Sequence, residues 1–227
     1  MVSEGIMKKL FLSLLVLLAT IPLYAGNVVT MFKTAAPPAG PTQVGYDDFA
    51  GDLTKWTQFV GTWTATSGQL QSASTGFIII GYDDADCSTA NGYAKLSLVD
   101  FRNETSIYFR AGGDPVRYYY IKFSAVGTEW FDSDDDSIET SATTWANTDV
   151  AGITWTGTGD NTVIRIWKNP TGNTPDSATS WGSDTTPDIS FTANPGANAV
   201  DSGGGTGISA TVDSGTLILD NYYFGDL

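Results

Sequence analysis

The sequence of 227 residues contains no histidine and only one cysteine, Cys87. Without histidine, the chain lacks the base of Ser-His-Asp catalysis and the side chain that most zinc sites use. A single cysteine also excludes an internal disulfide bond. We interpret Cys87 as a small buried apolar residue, because a reactive thiol normally has a basic partner nearby.

Basic residues are also scarce. The chain has 11 lysines and arginines but 25 aspartates and glutamates, which gives a net charge of −14. Such a charge repels nucleic acids and anionic membrane surfaces, and we expect neither as a partner. Beyond the N-terminus, the chain lacks a sustained helical spacing of apolar residues. Short runs of β-branched and aromatic residues between stretches rich in glycine and serine instead predict an all-β domain.

The first residues have the pattern of a secretory signal peptide, which we assign to residues 1–25. Lys8 and Lys9 precede an apolar core at residues 10–19, and small residues follow from Ala25 onward. This order of basic, apolar and small residues is typical of a cleaved signal. We expect a secreted, periplasmic or cell-surface protein that has no membrane attachment after cleavage. An uncleaved membrane anchor is the alternative.

A proline-rich leader or linker follows at residues 26–43, where Pro37 and Pro38 favour an extended chain. The alternative is a strand that is donated to the sheet edge of a neighbouring subunit, which would make residues 27–43 a segment of self-association. The pattern changes after this segment, and we assign residues 44–227 to one folded domain.

Motifs at both ends of this domain resemble those of laminin-G-like, concanavalin-A-like jelly-roll domains. They are Asp47-Asp-Phe49, Trp56, Gly61-Thr-Trp63 and Gly68-Gln-Leu70 at the start, and residues 163–169, 207–208 and 217–224 near the end. The resemblance implies two antiparallel sheets packed face to face as a β-sandwich. The final run alternates on two largely apolar faces, which predicts a strand in the middle of a sheet beside residues 46–49.

Alternation within the predicted strands separates inward from outward side chains. The residues expected in the core are Trp56, Trp63, Leu70, Ala94, Leu96, Leu98, Ile107, Phe109, Tyr119, Ile121, Phe123, Ile164, Ile166, Leu217 and Leu219. The residues expected to point outward from the same strands are Tyr108, Arg110, Tyr118, Tyr120, Lys122, Arg165 and Trp167.

If these outward residues share one concave sheet, they form an aromatic and cationic surface suited to a poly- or oligosaccharide. Sugar C–H faces stack on tyrosine and tryptophan rings, and arginine reaches hydroxyl or carboxylate groups. The residues that we predict to bind a glycan are Tyr108, Arg110, Tyr118, Tyr120, Arg165 and Trp167. The alternative is that the rings are ordinary cross-strand pairs, or that loops or a partner cover them.

Two groups of aspartates are candidates for a structural calcium ion. The resemblance implies a site where the first and last strands meet, and Asp48 and Asp220 are the matching carboxylates. Asp132, Asp134 and Asp136 have the alternate spacing of a calcium-binding loop. However, serine stands where such a loop has glycine, and threonine stands where it has its last glutamate, which favours a solvated hairpin loop.

Catalysis on a sugar would require a pair of carboxylates. Glucanases of the resembling type use a Glu-x-Asp-x-x-Glu strand, and none of the four glutamates has that spacing. An aspartate pair such as Asp100 with Asp114 leaves a glycoside hydrolase as an alternative. We therefore predict an exported, non-catalytic carbohydrate-binding protein. A structural or adhesive subunit of a surface filament or virion appendage is the other alternative.

Overall fold

The computed structural model describes residues 40–102, 104–112, 117–193, 195 and 204–227. The described chain forms fifteen strands and one single-turn 3-10 helix, Gly159–Asn161. The strands are β1 (Thr42–Asp47), β2 (Trp56–Val60), β3 (Thr64–Thr66), β4 (Gln69–Ser72), β5 (Gly76–Tyr82), β6 (Gly92–Asp100), β7 (Glu104–Gly112), β8 (Arg117–Ser124), β9 (Thr128–Asp132), β10 (Ser137–Ser141), β11 (Val150–Thr156), β12 (Val163–Lys168), β13 (Ile189–Phe191), β14 (Gly205–Val212) and β15 (Leu217–Asp226). In this part of the chain, no helix is long and apolar enough to cross a membrane.

These strands make two antiparallel sheets. In the eight-stranded sheet the order is β13-β12-β11-β6-β15-β4-β3, and β1 also pairs with β15. In the seven-stranded sheet the order is β10-β9-β8-β7-β14-β5-β2. Both sheets combine early and late parts of the chain, because β14 and β15 each insert between strands from the first half. The predicted two-sheet sandwich is confirmed.

The inner faces of the two sheets enclose one apolar core. Phe109 of the seven-stranded sheet stacks on Trp155 of the eight-stranded sheet, with 4.5 Å between the ring centroids. Trp56 and Tyr222 also make contact across the sandwich, at 5.4 Å. Every residue that the alternation assigns to the core is buried. Burial of large side chains contributes roughly 1.5–3 kcal/mol each, so these contacts hold the sheets together.

The last strand, β15, lies in the middle of the eight-stranded sheet. It pairs with β6 along one side, and with β4 and then β1 along the other. Tyr46 of β1 lies opposite Tyr223, and their rings stack with 4.4 Å between centroids. The pairing with β6 shifts between Asp220 and Tyr223, where Asn221 has a φ of 49°. The predicted position of the final strand is confirmed.

The N-terminal segments predicted from the sequence lie almost wholly outside the described residues. This applies to the signal peptide at residues 1–25 and to the leader as far as residue 39. Strand β1 begins at Thr42, so the last two residues assigned to the leader belong to a strand of the folded domain. Self-association through residues 27–43 stays a prediction.

Candidate functional site

Aromatic side chains follow one another across the outer face of the seven-stranded sheet. Strand β8 buries Tyr119 and Ile121 and leaves Tyr118 and Tyr120 half-buried on the opposite face, as the alternation predicts. On the neighbouring strand, Phe131 lies opposite Tyr120. Their rings stack almost parallel, with 4.9 Å between the centroids.

Two further tyrosines continue the line of rings. The ring centroid of Tyr118 lies 6.2 Å from that of Tyr120 and 5.7 Å from that of Tyr108. We call Phe131, Tyr120, Tyr118 and Tyr108 the aromatic row. Ring pairs at these separations attract one another beyond the effect of burial alone. The rings therefore hold each other in place before any ligand arrives.

Phe131, Tyr120 and Tyr118 of the aromatic row border a groove of about 360 Å³ on the same face of the sheet. Phe77 of β5 lines the groove from beyond β14, and its side chain is 53% exposed. Serine and threonine side chains of β7 and β14 lie between Phe77 and the tyrosines. The complete lining is Phe77, Glu104, Ser106, Tyr118, Tyr120, Lys122, Phe131, Ser133, Asp135, Ser209, Ala210 and Thr211.

Lys122 is held at the groove by two carboxylates. Its Nζ lies 3.3 Å from Glu104 Oε1, forms a second ion pair with Glu129, and is 4.7 Å from the ring centroid of Phe131. Burial by itself would lower the pKa of Lys122, but the two carboxylates outweigh burial and raise that pKa. The ammonium group therefore stays charged, between an aromatic face and acidic side chains.

Asp135 provides a third carboxylate, on the turn between β9 and β10. Its backbone has a φ of 63°, and its Oδ1 accepts a hydrogen bond of 2.8 Å from the Tyr120 hydroxyl. Burial and the charge of Asp135 raise the pKa of Tyr118, and burial together with this hydrogen bond raises the pKa of Tyr120. Both hydroxyls therefore remain protonated hydrogen-bond donors.

Tyr108 belongs to the aromatic row but is only 5% exposed. Its hydroxyl donates a hydrogen bond of 3.1 Å to the carbonyl oxygen of Ile80. The ring lies against the backbone at Gly81 and Gly207, where a Cβ atom would collide with the hydroxyl of Tyr108. The expectation that this ring is open to a sugar is therefore wrong. Tyr108 instead supports the neighbouring ring of Tyr118.

Arg110 is 1% exposed, so the prediction that it reaches a glycan is wrong. Its backbone has a φ of 57°, in the left-handed region. Its guanidinium group donates hydrogen bonds to the carbonyl oxygens of Ala90 (2.9 Å) and Gly157 (2.6 Å) and to the hydroxyl of Thr162 (3.0 Å). The side chain therefore ties two loops to the end of β7.

Arg165 and Trp167 lie on β12 in the eight-stranded sheet, away from the aromatic row. Trp167 is fully buried with Tyr93 and Trp181 in a small second cluster. Arg165 is half-buried, and its Nη1 lies 3.5 Å from the carbonyl oxygen of Ala178. The expectation of one shared surface is therefore wrong, because the predicted residues occupy two different sheets.

Of the residues that line the groove, the sequence-based prediction of the binding site includes only Tyr118 and Tyr120. The residues it misses include Phe77, Glu104, Lys122, Phe131 and Asp135. The two phenylalanines follow the same alternation as the tyrosines, because buried Ile78 and Trp130 are their direct neighbours. This signal shows that both rings point outward. Only the order of the strands shows that they border the same groove as β8.

Asp48 and Asp220, the candidates for calcium, lie near one another where β1 approaches β15. Asp48 Oδ1 accepts the backbone N–H of Ala50 (3.1 Å), and Asp220 Oδ1 accepts that of Asn221 (2.7 Å). Burial and the charge of Asp48 raise the pKa of Asp220. Two carboxylates fit calcium in chemistry but fall short of its six to eight oxygen ligands. In the described residues, no group of three or more acidic, histidine or cysteine side chains adds to them.

Asp132 organises the turn in which Asp134 and Asp136 lie. Its Oδ1 accepts the backbone N–H groups of Asp134 (3.0 Å) and Asp136 (3.1 Å). The carboxylate of Asp135 points to the hydroxyl of Tyr120. This arrangement is a hairpin turn stabilised by its own aspartate, which is the interpretation that the sequence favours over a calcium loop.

Asp100, one member of the aspartate pair considered for hydrolysis, accepts hydrogen bonds from Arg102 (2.6 Å) and from Asn147 (2.9 Å). Asp114 lies outside the described residues. The arrangement around Asp100 therefore places it in a local network with these two side chains.

Comparison with known proteins identifies the fold. No protein-family model and no curated protein matches the sequence. A Bacillus subtilis protein of unknown function with a galectin-like fold matches with a TM-score of 0.60 and 7% identity, over 82% of this chain and 96% of that one. The chain folds as a lectin-type jelly roll. This concanavalin-A-like jelly roll is also similar to lectin II from Ulex europaeus, with a TM-score of 0.51 and 13% identity over 85% of this chain and 100% of that one.

A third structure with this jelly roll is a cellulose induced protein. It is 16% identical, with a TM-score of 0.51, and the match covers 81% of this chain and 97% of that protein. At these identities the likeness shows the fold, and the function has to be argued from the site.

Proposed function

We propose that this protein is exported and binds a poly- or oligosaccharide, without catalysis, in the groove beside the aromatic row. The observation that carries the proposal is the pair of half-buried rings, Tyr118 and Tyr120, held in place next to hydrogen-bonding groups. The similar fold of a protein named as a lectin, and of a lectin solved with galactose, supports this use of the jelly roll.

The chemistry of the groove suits a sugar. The C–H face of a pyranose ring stacks on Tyr118 or Tyr120, while the flat ring of Phe77 borders the groove on the other side. Glu104 and Asp135 accept hydrogen bonds from sugar hydroxyls, and Lys122 donates them. A groove of about 360 Å³ has room for a few sugar units at most, so we expect recognition of a short stretch of a glycan.

The test is a glycan-array screen of the purified protein, followed by titration calorimetry with the best ligand. We expect Tyr118→Ala and Tyr120→Ala each to weaken binding about tenfold, because each removes one stacking surface. Tyr46→Ala is the matched control, since Tyr46 stacks on a tyrosine of the other sheet. If all three variants fold and bind the glycan as tightly as the parent protein, the groove is not the site.

We also propose that calcium binds between Asp48 and Asp220, as the resemblance implies. The raised pKa of Asp220 means that its charged form is disfavoured in the folded state without a cation. We therefore expect the melting temperature to be higher in the presence of calcium than in the presence of a chelator. Asp220→Asn should raise the melting temperature in chelator and abolish the calcium effect, whereas Asp184→Asn, an exposed control, should do neither. A calcium effect that survives in Asp220→Asn would place the ion elsewhere.

A further inference from the structure

The groove is acidic as well as aromatic. Glu104 and Asp135 line it with two carboxylates, while Lys122 provides an ammonium group that Glu104 shares with Glu129, a neighbour outside the lining. Within the described residues, no ion pair joins Asp135 to a lysine or arginine. The whole chain has a net charge of −14, so its long-range field has the same sign as the groove.

The environment of Lys122 shows how this surface stabilises an amine. Its ammonium group lies over the Phe131 ring and between two carboxylates, and these carboxylates keep it charged despite its burial. A cation is attracted to the face of an aromatic ring as well as to a carboxylate. Rings and carboxylates therefore act together here on one positive group.

A second set of the same groups lies at the end of the groove near the turn between β9 and β10. There the Asp135 carboxylate accepts a hydrogen bond from the hydroxyl of Tyr120, and the ring of Tyr118 lies next to the ring of Tyr120. A sugar stacked on these rings would hold its substituents beside Asp135. A positively charged substituent would meet both a carboxylate and aromatic faces, whereas a carboxylate substituent would be repelled.

We propose that the groove prefers glycans with free amino groups over their acetylated or acidic counterparts. This inference rests on the proposed glycan binding and adds the chemical class of the ligand. The sugar ring can stack in the amino and in the N-acetyl form, and only the amino form carries a positive charge that the carboxylates attract. The acetyl group adds an amide and a methyl group, which salt affects much less than the charge. Exposed charge pairs of this kind are worth about 0.2–1 kcal/mol each, so pairs with Glu104 and Asp135 together predict roughly twofold to thirtyfold tighter binding of the amino form.

The experiment compares hexamers of β-1,4-linked glucosamine, N-acetylglucosamine and glucuronic acid by titration calorimetry at low and high salt. The variants are Glu104→Gln, Asp135→Asn and their combination, with Asp184→Asn as a charge-matched control on an exposed loop outside the groove. We expect the glucosamine hexamer to bind most tightly, with a preference that salt reduces. The double variant should lose the salt-dependent preference for the glucosamine hexamer, and the control should behave as the parent.

The outcomes separate this inference from the proposed function. If the amino and N-acetyl hexamers bind equally and Tyr118→Ala weakens both, the groove binds glycans but the amine preference is refuted. If the preference persists in Glu104→Gln/Asp135→Asn, or is lost in Asp184→Asn, it comes from the overall charge and not from the groove, which also refutes the inference. If no glycan binds at all, both proposals fail.

Discussion

Arg110 offers the sharpest test of the fold, because the sequence predicts a ligand contact at this residue and the structure shows a buried anchor. Substitution by alanine leaves the carbonyl oxygens of Ala90 and Gly157, and the hydroxyl of Thr162, without the guanidinium donor. A buried polar group that loses its partner costs about 1–3 kcal/mol. The two carbonyls together predict a loss of about 2–6 kcal/mol in the free energy of unfolding.

This loss corresponds to a fall of roughly 4–24 °C in melting temperature for a domain of this size. Arg110→Gly removes the same donors but relieves the left-handed backbone at φ 57°, so it should be less destabilising than Arg110→Ala by about 1 kcal/mol. Arg110→Lys keeps the charge without the planar set of donors and should fall between alanine and the parent.

The assay is urea unfolding followed by tryptophan fluorescence, with glycan affinity measured below all the melting temperatures. We expect Arg110→Ala to be the least stable variant, with Arg110→Gly and Arg110→Lys between it and the parent. The glycan affinity should stay within about twofold, since the guanidinium is buried away from the groove. A loss below about 1 kcal/mol for Arg110→Ala would refute the anchoring role. A selective loss of affinity with unchanged stability would restore the original prediction of a ligand contact.

Three other predictions concern the packing, the thiol and the acid stability. Gly207→Ala should destabilise the protein by about 1–3 kcal/mol in thermal unfolding, because the new methyl group meets the Tyr108 hydroxyl, whereas Gly112→Ala has open space and should not. Burial raises the pKa of the Cys87 thiol to about 12, so a thiol reagent should modify it only after unfolding in guanidinium, and fast labelling of the native protein would contradict this. Burial opposes the charge of Asp149, but the Lys168 ammonium at 2.9 Å and two hydrogen bonds outweigh it and lower the pKa. The resulting stability is present above the ordinary aspartate pKa of about 3.9 and is lost as the pH falls through the lowered value, so Asp149→Asn should flatten the acid dependence of the melting temperature.

Much of the fold can be predicted because a strand has only two faces. Alternation correctly assigns Ile121 and Phe123 to the core and Tyr118 and Tyr120 to the outer face, since a residue on a half-buried strand must lie on one side or the other. The central position of β15 follows from the same reasoning, because two largely apolar faces cannot be left at an edge.

Which sheet a strand joins is a different matter, because alternation is the same in either sheet. The outward pattern of Arg165 and Trp167 matches that of Tyr118, yet β12 pairs with β11 and β13 in the eight-stranded sheet. The loop that contains Trp181 then covers Trp167. The predicted six-residue surface therefore divides between two faces of the molecule.

The sequence by itself determined the class of the fold, the membership of the core and the outward orientation of the tyrosines, all of which depend on local periodicity. The tertiary structure alone decided that Phe77 shares a groove with Tyr118, since β14 brings their strands together from distant parts of the chain. It also decided that Arg110 is buried, because left-handed backbone at that residue ends the alternation and turns the side chain toward the carbonyls of Ala90 and Gly157. Pairing between distant segments has no signature in the spacing of neighbours, and for that reason the site emerged only with the fold.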